Sequence, residues 1–271
     1  MIKKIFKVAC VQLTSSSSLD ENIEQVRNTV KEAANKRADL VCLPECVSTM
    51  TDHKKTLVKN FTQNNKNKFN NFIKKLAKNL NVYVLVGSTP FPKNDGKFLN
   101  RSLIIDKQGL VVSYYDEINL FDVILSKNEK YLESKTYSAG KYIKVHTLPW
   151  GKIGMSICYD IRFPLIYRKL AKKKVDFVTI PAAFTYTTGK AHWESLIRAR
   201  AIENGFFIFA PAQCGKHDNG RETFGNSMIV DPWGKILSRA KKKPTIIYAQ
   251  IDTSEVTNAR KKIPAMTDFT F

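Results

Sequence analysis

Apolar positions recur along this chain with two alternating periods, one of about two or a short continuous run, the other near 3.6. Ile5 to Leu13 is an apolar run that predicts a strand, and Ser18 with Glu21 then has the spacing of a capping box. The helix it opens carries Ile23, Val26, Val30 and Ala33 at helical spacing. Asp39 to Leu43 is a short continuous apolar run, as expected of a strand buried on both faces. Phe69, Phe72, Ile73, Leu76, Ala77 and Leu80 mark a second amphipathic helix, followed by a strand from Val82 to Val86.

Two hairpin strands are expected at Asn100 to Asp106 and Leu110 to Tyr115, around the turn Lys107-Gln108-Gly109, and a polar loop follows. Tyr142 to Leu148 and Lys152 to Ile157 form another pair around Trp150-Gly151. A helix with Pro164 in its first turn comes next, where the missing N–H costs nothing. A strand at Phe177 to Pro181 and a helix at Ala191 to Asn204, with Trp193, Leu196, Ile197 and Ala201 on one face, continue the alternation. Strands at Phe206 to Pro211, Ser227 to Asp231, Ile236 to Leu237 and Thr245 to Ile251 complete it, before a short helix and an extended tail. Strand alternating with helix and no linker-like segment predicts one α/β domain over residues 1–271.

Composition narrows the class. A hydrophobic share of 43%, with 16 Phe and 10 Tyr, supplies a large core and argues against disorder. No apolar run reaches the ~18 residues of a membrane span. The charged start reads as the first strand and not as a signal peptide. Five cysteines, an odd number set mostly in apolar contexts, suit reduced thiols in a cytoplasmic protein. The net charge of +20 raises nucleic-acid binding. Yet the lysines scatter over helix faces and loops (Lys74, Lys75, Lys78, Lys172 to Lys174, Lys241 to Lys243) and form no nucleic-acid module, so no specific nucleic-acid partner is expected.

Three short signatures carry chemistry: Leu43-Pro44-Glu45, Tyr115-Asp116-Glu117-Ile118-Asn119-Leu120-Phe121-Asp122, and Ser156-Ile157-Cys158-Tyr159-Asp160. Together they resemble the Glu–Lys–Cys set of the nitrilase (carbon–nitrogen hydrolase) superfamily. The likeness continues through Pro181 to Thr185, Thr188 to Glu194, Arg198 to Asn204 and Gly225 to Gly234. The run Ala212-Gln213-Cys214-Gly215 leans toward the branch of deaminated glutathione amidase and omega-amidase. The resemblance implies a four-layer α-β-β-α sandwich that forms a homodimer, acts on a small-molecule amide, and needs no cofactor and no metal. None of the four histidines is spaced as a metal ligand.

By that resemblance Cys158 is the nucleophile, forming a thioester with the acyl part of the substrate. An elbow between strand and helix would expose its thiol and let the helix dipole favour thiolate. Glu45 is the general base, and Tyr159 gives a backbone N–H to the oxyanion. Glu133, preferred over the nearby Glu129, is the supporting carboxylate, and Phe184, Thr185 and Thr188 wall the substrate pocket. One position departs from the pattern. The family places a lysine where this chain has Glu117, and a histidine where it has Asn119. A glutamate there sets a third carboxylate beside Glu45 and Glu133, and like charges oppose a thiolate. Three outcomes follow from it: an amidase slowed or retuned with Lys127 or another cation in the gap, a catalytically silent homologue that binds a carboxamide or serves as scaffold, or an enzyme whose substrate brings its own positive charge.

Overall fold

The continuous apolar runs become the inner strands of two six-stranded sheets. The structure, a computed structural model, describes residues 4–62, 68–127 and 129–265. In chain order, β1 (Ile5–Gln12), α1 (Leu19–Asn35), β2 (Leu40–Cys42), α2 (Lys54–Phe61), α3 (Lys68–Leu80) and β3 (Tyr83–Pro92) come first. The hairpin β4 (Phe98–Ile105) and β5 (Val111–Asp116) follows, then a small pair, β6 (Asp122–Ile124) and β7 (Lys130–Leu132). The second half runs through β8 (Lys144–Leu148), β9 (Gly151–Met155), α4 (Pro164–Lys172), β10 (Phe177–Thr179), α5 (Tyr186–Asn204) and β11 (Phe207–Ala210). It closes with β12 (Cys214–Lys216), β13 (Glu222–Phe224), β14 (Met228–Val230), β15 (Ile236–Arg239), β16 (Thr245–Asp252) and α6 (Ser254–Lys262).

The first sheet has the order β16-β1-β2-β3-β4-β5 and the second β15-β14-β11-β10-β9-β8. The central trio of each, β1-β2-β3 and β9-β10-β11, is parallel. The last strand returns to pair antiparallel with the first, so β16 closes one edge of β1. Phe6, Trp150, Phe177 and Phe209 belong to the core between the facing sheets, with Phe6 stacked on Trp150 at 4.6 Å. The outer face of the first sheet packs on α1 and α3 through Val26, Val30, Phe69 and Ile73. The second sheet packs outward on α4 and α5 through Leu170, Trp193 and Ile197. This is the expected α-β-β-α sandwich.

Local differences have physical reasons. Ser18 does cap α1, its Oγ accepting from the Glu21 N–H at 3.4 Å, but the Glu21 carboxylate turns to the Ser16 hydroxyl at 2.7 Å. Only one half of the expected capping box forms. Helix α5 begins at Tyr186 and not at Ala191, because the Thr185 and Thr188 hydroxyls bond each other at 2.7 Å and start the turn early. The polar loops hold α2 and two short hairpins, β6-β7 and β12-β13, whose three-residue strands are too brief to show alternation. The expected extended tail lies past residue 265, outside the described residues. Among those described, no helix is long and apolar enough to cross a membrane.

Candidate active site

Both parallel trios end at the same place. Chain leaving the C-terminal end of β2 delivers Glu45, and chain leaving β9 delivers Cys158, so the two reach each other from opposite sheets. Glu45 is buried and fully held. Its Oε1 accepts from the Asn100 side-chain amide at 3.0 Å and its Oε2 accepts from the Ala183 N–H at 2.6 Å, with the Cys158 thiol nearby. The Gln213 amide fixes the Glu45 carbonyl at 2.8 Å. A close approach makes room for this loop: a Cβ at Gly87 would collide with the backbone oxygens of Leu43 and Pro44.

Cys158 departs from expectation in two ways. The thiol is buried at the floor of a cavity and not exposed, and the residue after it enters a single 3-10 turn, Cys158–Arg162, ahead of α4. A helix dipole is therefore not what governs its charge. Burial first, then the carboxyls of Glu45 and Glu117, push the thiol well above its ordinary pKa, and Arg221 alone pulls it down. The sulfur is therefore held as a thiol, beside the Glu45 carboxyl. Its backbone is strained, with φ at +37° in the left-handed region. Such a conformation costs roughly 1–3 kcal/mol in a residue with a Cβ. The bond from its N–H to the Pro181 carbonyl at 2.9 Å helps hold it there.

Glu117 follows β5 directly and is 1% exposed. Register places it beside Asn100: its N–H donates to the Asn100 carbonyl at 3.0 Å, and Asn100 Nδ2 donates to its Oε2 at 2.8 Å. Its Oε1 is buried and takes no partner among the described residues. Burial, then Glu133, Glu45 and Asp160, hold its carboxyl well above the usual carboxylate range. Glu133 Oε2 accepts from the Phe121 N–H at 2.8 Å, and burial together with Glu45 pushes its pKa up to about 7. Each of Glu45, Glu117 and Glu133 has an oxygen within 4.8 Å of the others, the one group of potential metal ligands among the described residues. Glu129 turns elsewhere, to Tyr131 and Thr187.

Asn119, at the family's histidine position, also has its partner. Its backbone N–H and side-chain amide both donate to Asp160 Oδ1, at 3.1 and 2.8 Å, while the Tyr115 hydroxyl donates to Asp160 Oδ2 at 2.6 Å. That buried cluster anchors the strand–turn junction behind Cys158.

The cation that faces these carboxyls is Arg221, which sequence reasoning missed. Lys127 is exposed and does not line the cavity. Arg221 sits in the turn of the β12-β13 hairpin, donates to the Ala183 carbonyl at 2.5 Å, and lies over the Tyr131 ring at 5.0 Å. Burial works against its charge, but Glu45, Cys158 and Cys46 more than offset this and raise its pKa. Its Nε is buried without a partner.

The cavity above Cys158 measures about 320 Å³ and is lined by Glu45, Glu117, Glu133, Arg221 and Phe121, with Lys130 and Lys135 also on its wall. Phe184, Thr185 and Thr188 are not on that wall. They are buried behind it, with Phe184 packed on Trp193 at 4.9 Å and the two threonines bonded to each other. Tyr159 stands beside the thiol with its ring edge-on to Phe121 at 5.1 Å and Phe163 at 5.5 Å.

The α-β-β-α sandwich, with a buried thiol and a buried carboxyl meeting between its sheets, is that of a nitrilase-superfamily hydrolase. The chain belongs to the carbon–nitrogen hydrolase family, whose model matches residues 7–261. Among curated relatives it is 37% identical over 272 residues to deaminated glutathione amidase of Synechocystis sp. (strain PCC 6803 / GT-S), covering 97% of each chain. It is 31% identical over 261 residues to omega-amidase NIT2 of Mus musculus, covering 96% of this chain and 94% of that protein. The crystal structure of Caenorhabditis elegans NitFhit, a nitrilase and fragile histidine triad fusion protein, superposes with a TM-score of 0.92 at 32% identity. That match covers 97% of this chain and 65% of the fusion protein.

Proposed function

We propose that this protein is an amidase that hydrolyses the terminal carboxamide of a small acid through a thioester on Cys158. The observation that carries the reading is the buried Cys158 thiol sharing a cavity wall with the buried Glu45 carboxyl, close enough that each shifts the other's ionisation. Glu45 takes the thiol proton as sulfur bonds to the amide carbon, then returns it to the nitrogen as ammonia leaves. Water next attacks the thioester with Glu45 as base, releasing the acid and restoring the thiol. A Glu45 pKa raised by burial suits a group that must carry a proton midway through the cycle. The Tyr159 N–H would serve the oxyanion.

Arg221 stands in for part of the missing lysine, as the cation that eases thiolate formation. With Lys130 and Lys135 it also offers a basic wall to a substrate carboxylate, which favours an ω-amide of a dicarboxylic acid over a neutral amide. Glu133 positions the site through the Phe121 backbone. The competing reading is a catalytically silent carboxamide-binding protein or scaffold, favoured by Glu117 at the lysine position.

Ammonia release from succinamate and from deaminated glutathione, beside a Cys158→Ala control, separates the two. The amidase reading expects wild-type release and loss of about 10³-fold or more in the control, since the residue that forms the covalent intermediate is gone. Release no greater than the control would sink it. We further propose a single domain and a homodimer formed through the outer faces of α4 and α5, where Phe163, Leu165 and Ile202 stand exposed. Five free cysteines suit a reducing compartment such as the cytoplasm.

A further inference from the structure

Three carboxyls converge on the cavity, and one guanidinium faces them. All three cannot ionise together at close range in a water-poor site, so at least one proton is retained. The hydrogen bonds say where it goes. Glu45 has a donor on each oxygen, the Asn100 amide and the Ala183 N–H, which favours it as the anion. Glu133 accepts a backbone N–H. Glu117 has one neutral donor, the Asn100 amide, and that amide is shared with Glu45.

The Asn100 bond falls on Oε2 of Glu117, so a proton on this residue belongs on Oε1. Oε1 is the buried oxygen without a partner, on a residue that lines the cavity with Cys158. As a carboxylate oxygen it would be a buried charge with no donor, which costs more than a neutral hydroxyl left without a partner in the same place. As a hydroxyl it is an uncommitted donor on a residue that shares the cavity wall with Cys158.

We propose that Glu117 works as a neutral carboxylic acid whose Oε1–H donates a hydrogen bond to the oxygen that becomes negative when Cys158 attacks an amide. This rests on the amidase reading above. The proton stays on Glu117 throughout, and the thiol proton alone travels, from Cys158 to Glu45 to the departing ammonia. A carboxyl kept neutral by an anionic, desolvated site is a competent oxyanion donor, as the ketosteroid isomerase pattern illustrates. It answers the missing ammonium with a hydrogen bond and no charge, while Arg221, lining the same cavity, supplies positive charge. The strong upward displacement of the Glu117 pKa by burial and its acidic neighbours agrees with this.

The test compares wild type with Glu117→Gln, which keeps the shape and a donor, and Glu117→Leu, which removes the donor. Thermal melts confirm that each variant is folded. With succinamate, Glu117→Leu should lose about 10²- to 10³-fold in kcat, the usual effect of removing one oxyanion donor. Glu117→Gln should recover to within about tenfold of wild type. The wild-type kcat/KM should fall on the alkaline side as Glu117 ionises, and that limb should vanish in Glu117→Gln. Infrared difference spectra give a readout independent of turnover: at neutral pH, wild type minus Glu117→Gln should show the C=O band of an un-ionised carboxylic acid. Absence of that band overturns the proposal whatever the activity. A Glu117→Leu variant as active as wild type overturns it while leaving the amidase reading standing. Equal ammonia release by wild type and Cys158→Ala overturns the amidase reading and the donor role with it.

Discussion

One amide stands between two carboxyls at the centre of this site. Asn100 Nδ2 bonds both Glu45 and Glu117, and no motif announces it, since its role depends on β4 and β5 being in register. Glu45 and Cys158 were legible because each lies in a short signature with fixed neighbours, and Glu133 only through the family resemblance. Glu117 was legible only as a departure. The charge state of these groups was not, because it follows from burial and mutual distance. Glu133 illustrates the energetic side. Its pKa of about 7 in the folded protein lies above the ordinary carboxyl value, so between the two the folded state holds a proton that the unfolded chain has lost. Stability therefore falls as pH rises through that window. Glu133→Gln should flatten the decline in melting temperature between about pH 4.5 and pH 7 relative to wild type; identical slopes would rule out Glu133 as its source.

Among elements, the long apolar runs and amphipathic helices gave themselves away by period. The three-residue strands did not, and the omission mattered, because the β12-β13 hairpin is what carries Arg221 to the cavity. A turn arginine over two hundred residues from the first strand reads as a solvated loop charge until the sheets are packed. The β4-β5 hairpin shows how tightly such a carrier is fixed. Arg101 clamps Asp116 with bonds of 2.6 and 3.0 Å, and Gly140 lies against the same backbone with its N–H on the Glu117 carbonyl at 2.6 Å. A Cβ at Gly140 would strike the Asp116 carbonyl oxygen, which the clamp keeps from yielding. Gly140→Ala should destabilise the fold by about 1–3 kcal/mol in urea titration and shift Glu117, lowering turnover beyond what the stability loss explains. Wild-type stability and turnover in this variant would show that the clamp gives way.

For the molecule as a whole, the sandwich follows from alternation of strand and helix, whereas the pairing of β16 with β1 does not, since it joins the two ends of the chain. The +20 charge is the least informative whole-chain property, as it neither builds the core nor enters the cavity beyond Arg221, Lys130 and Lys135. Exposed apolar residues say more. Leu165, 71% exposed at the start of α4, belongs with Phe163 and Ile202 to the apolar face proposed above for the dimer. Leu165→Glu should convert a dimeric sedimentation profile to a monomeric one without loss of helix signal. An unchanged mass would move the interface elsewhere.

The protonated state of the buried Cys158 bears on its survival as well as on its reactivity. Oxidants such as peroxide attack thiolate far faster than thiol, and they need access to the sulfur. A thiol kept protonated by burial and by the carboxyls of Glu45 and Glu117 is a poor target for peroxide while the site is idle. Burial and the neighbouring acids would thus keep Cys158 from being spent on the wrong electrophile.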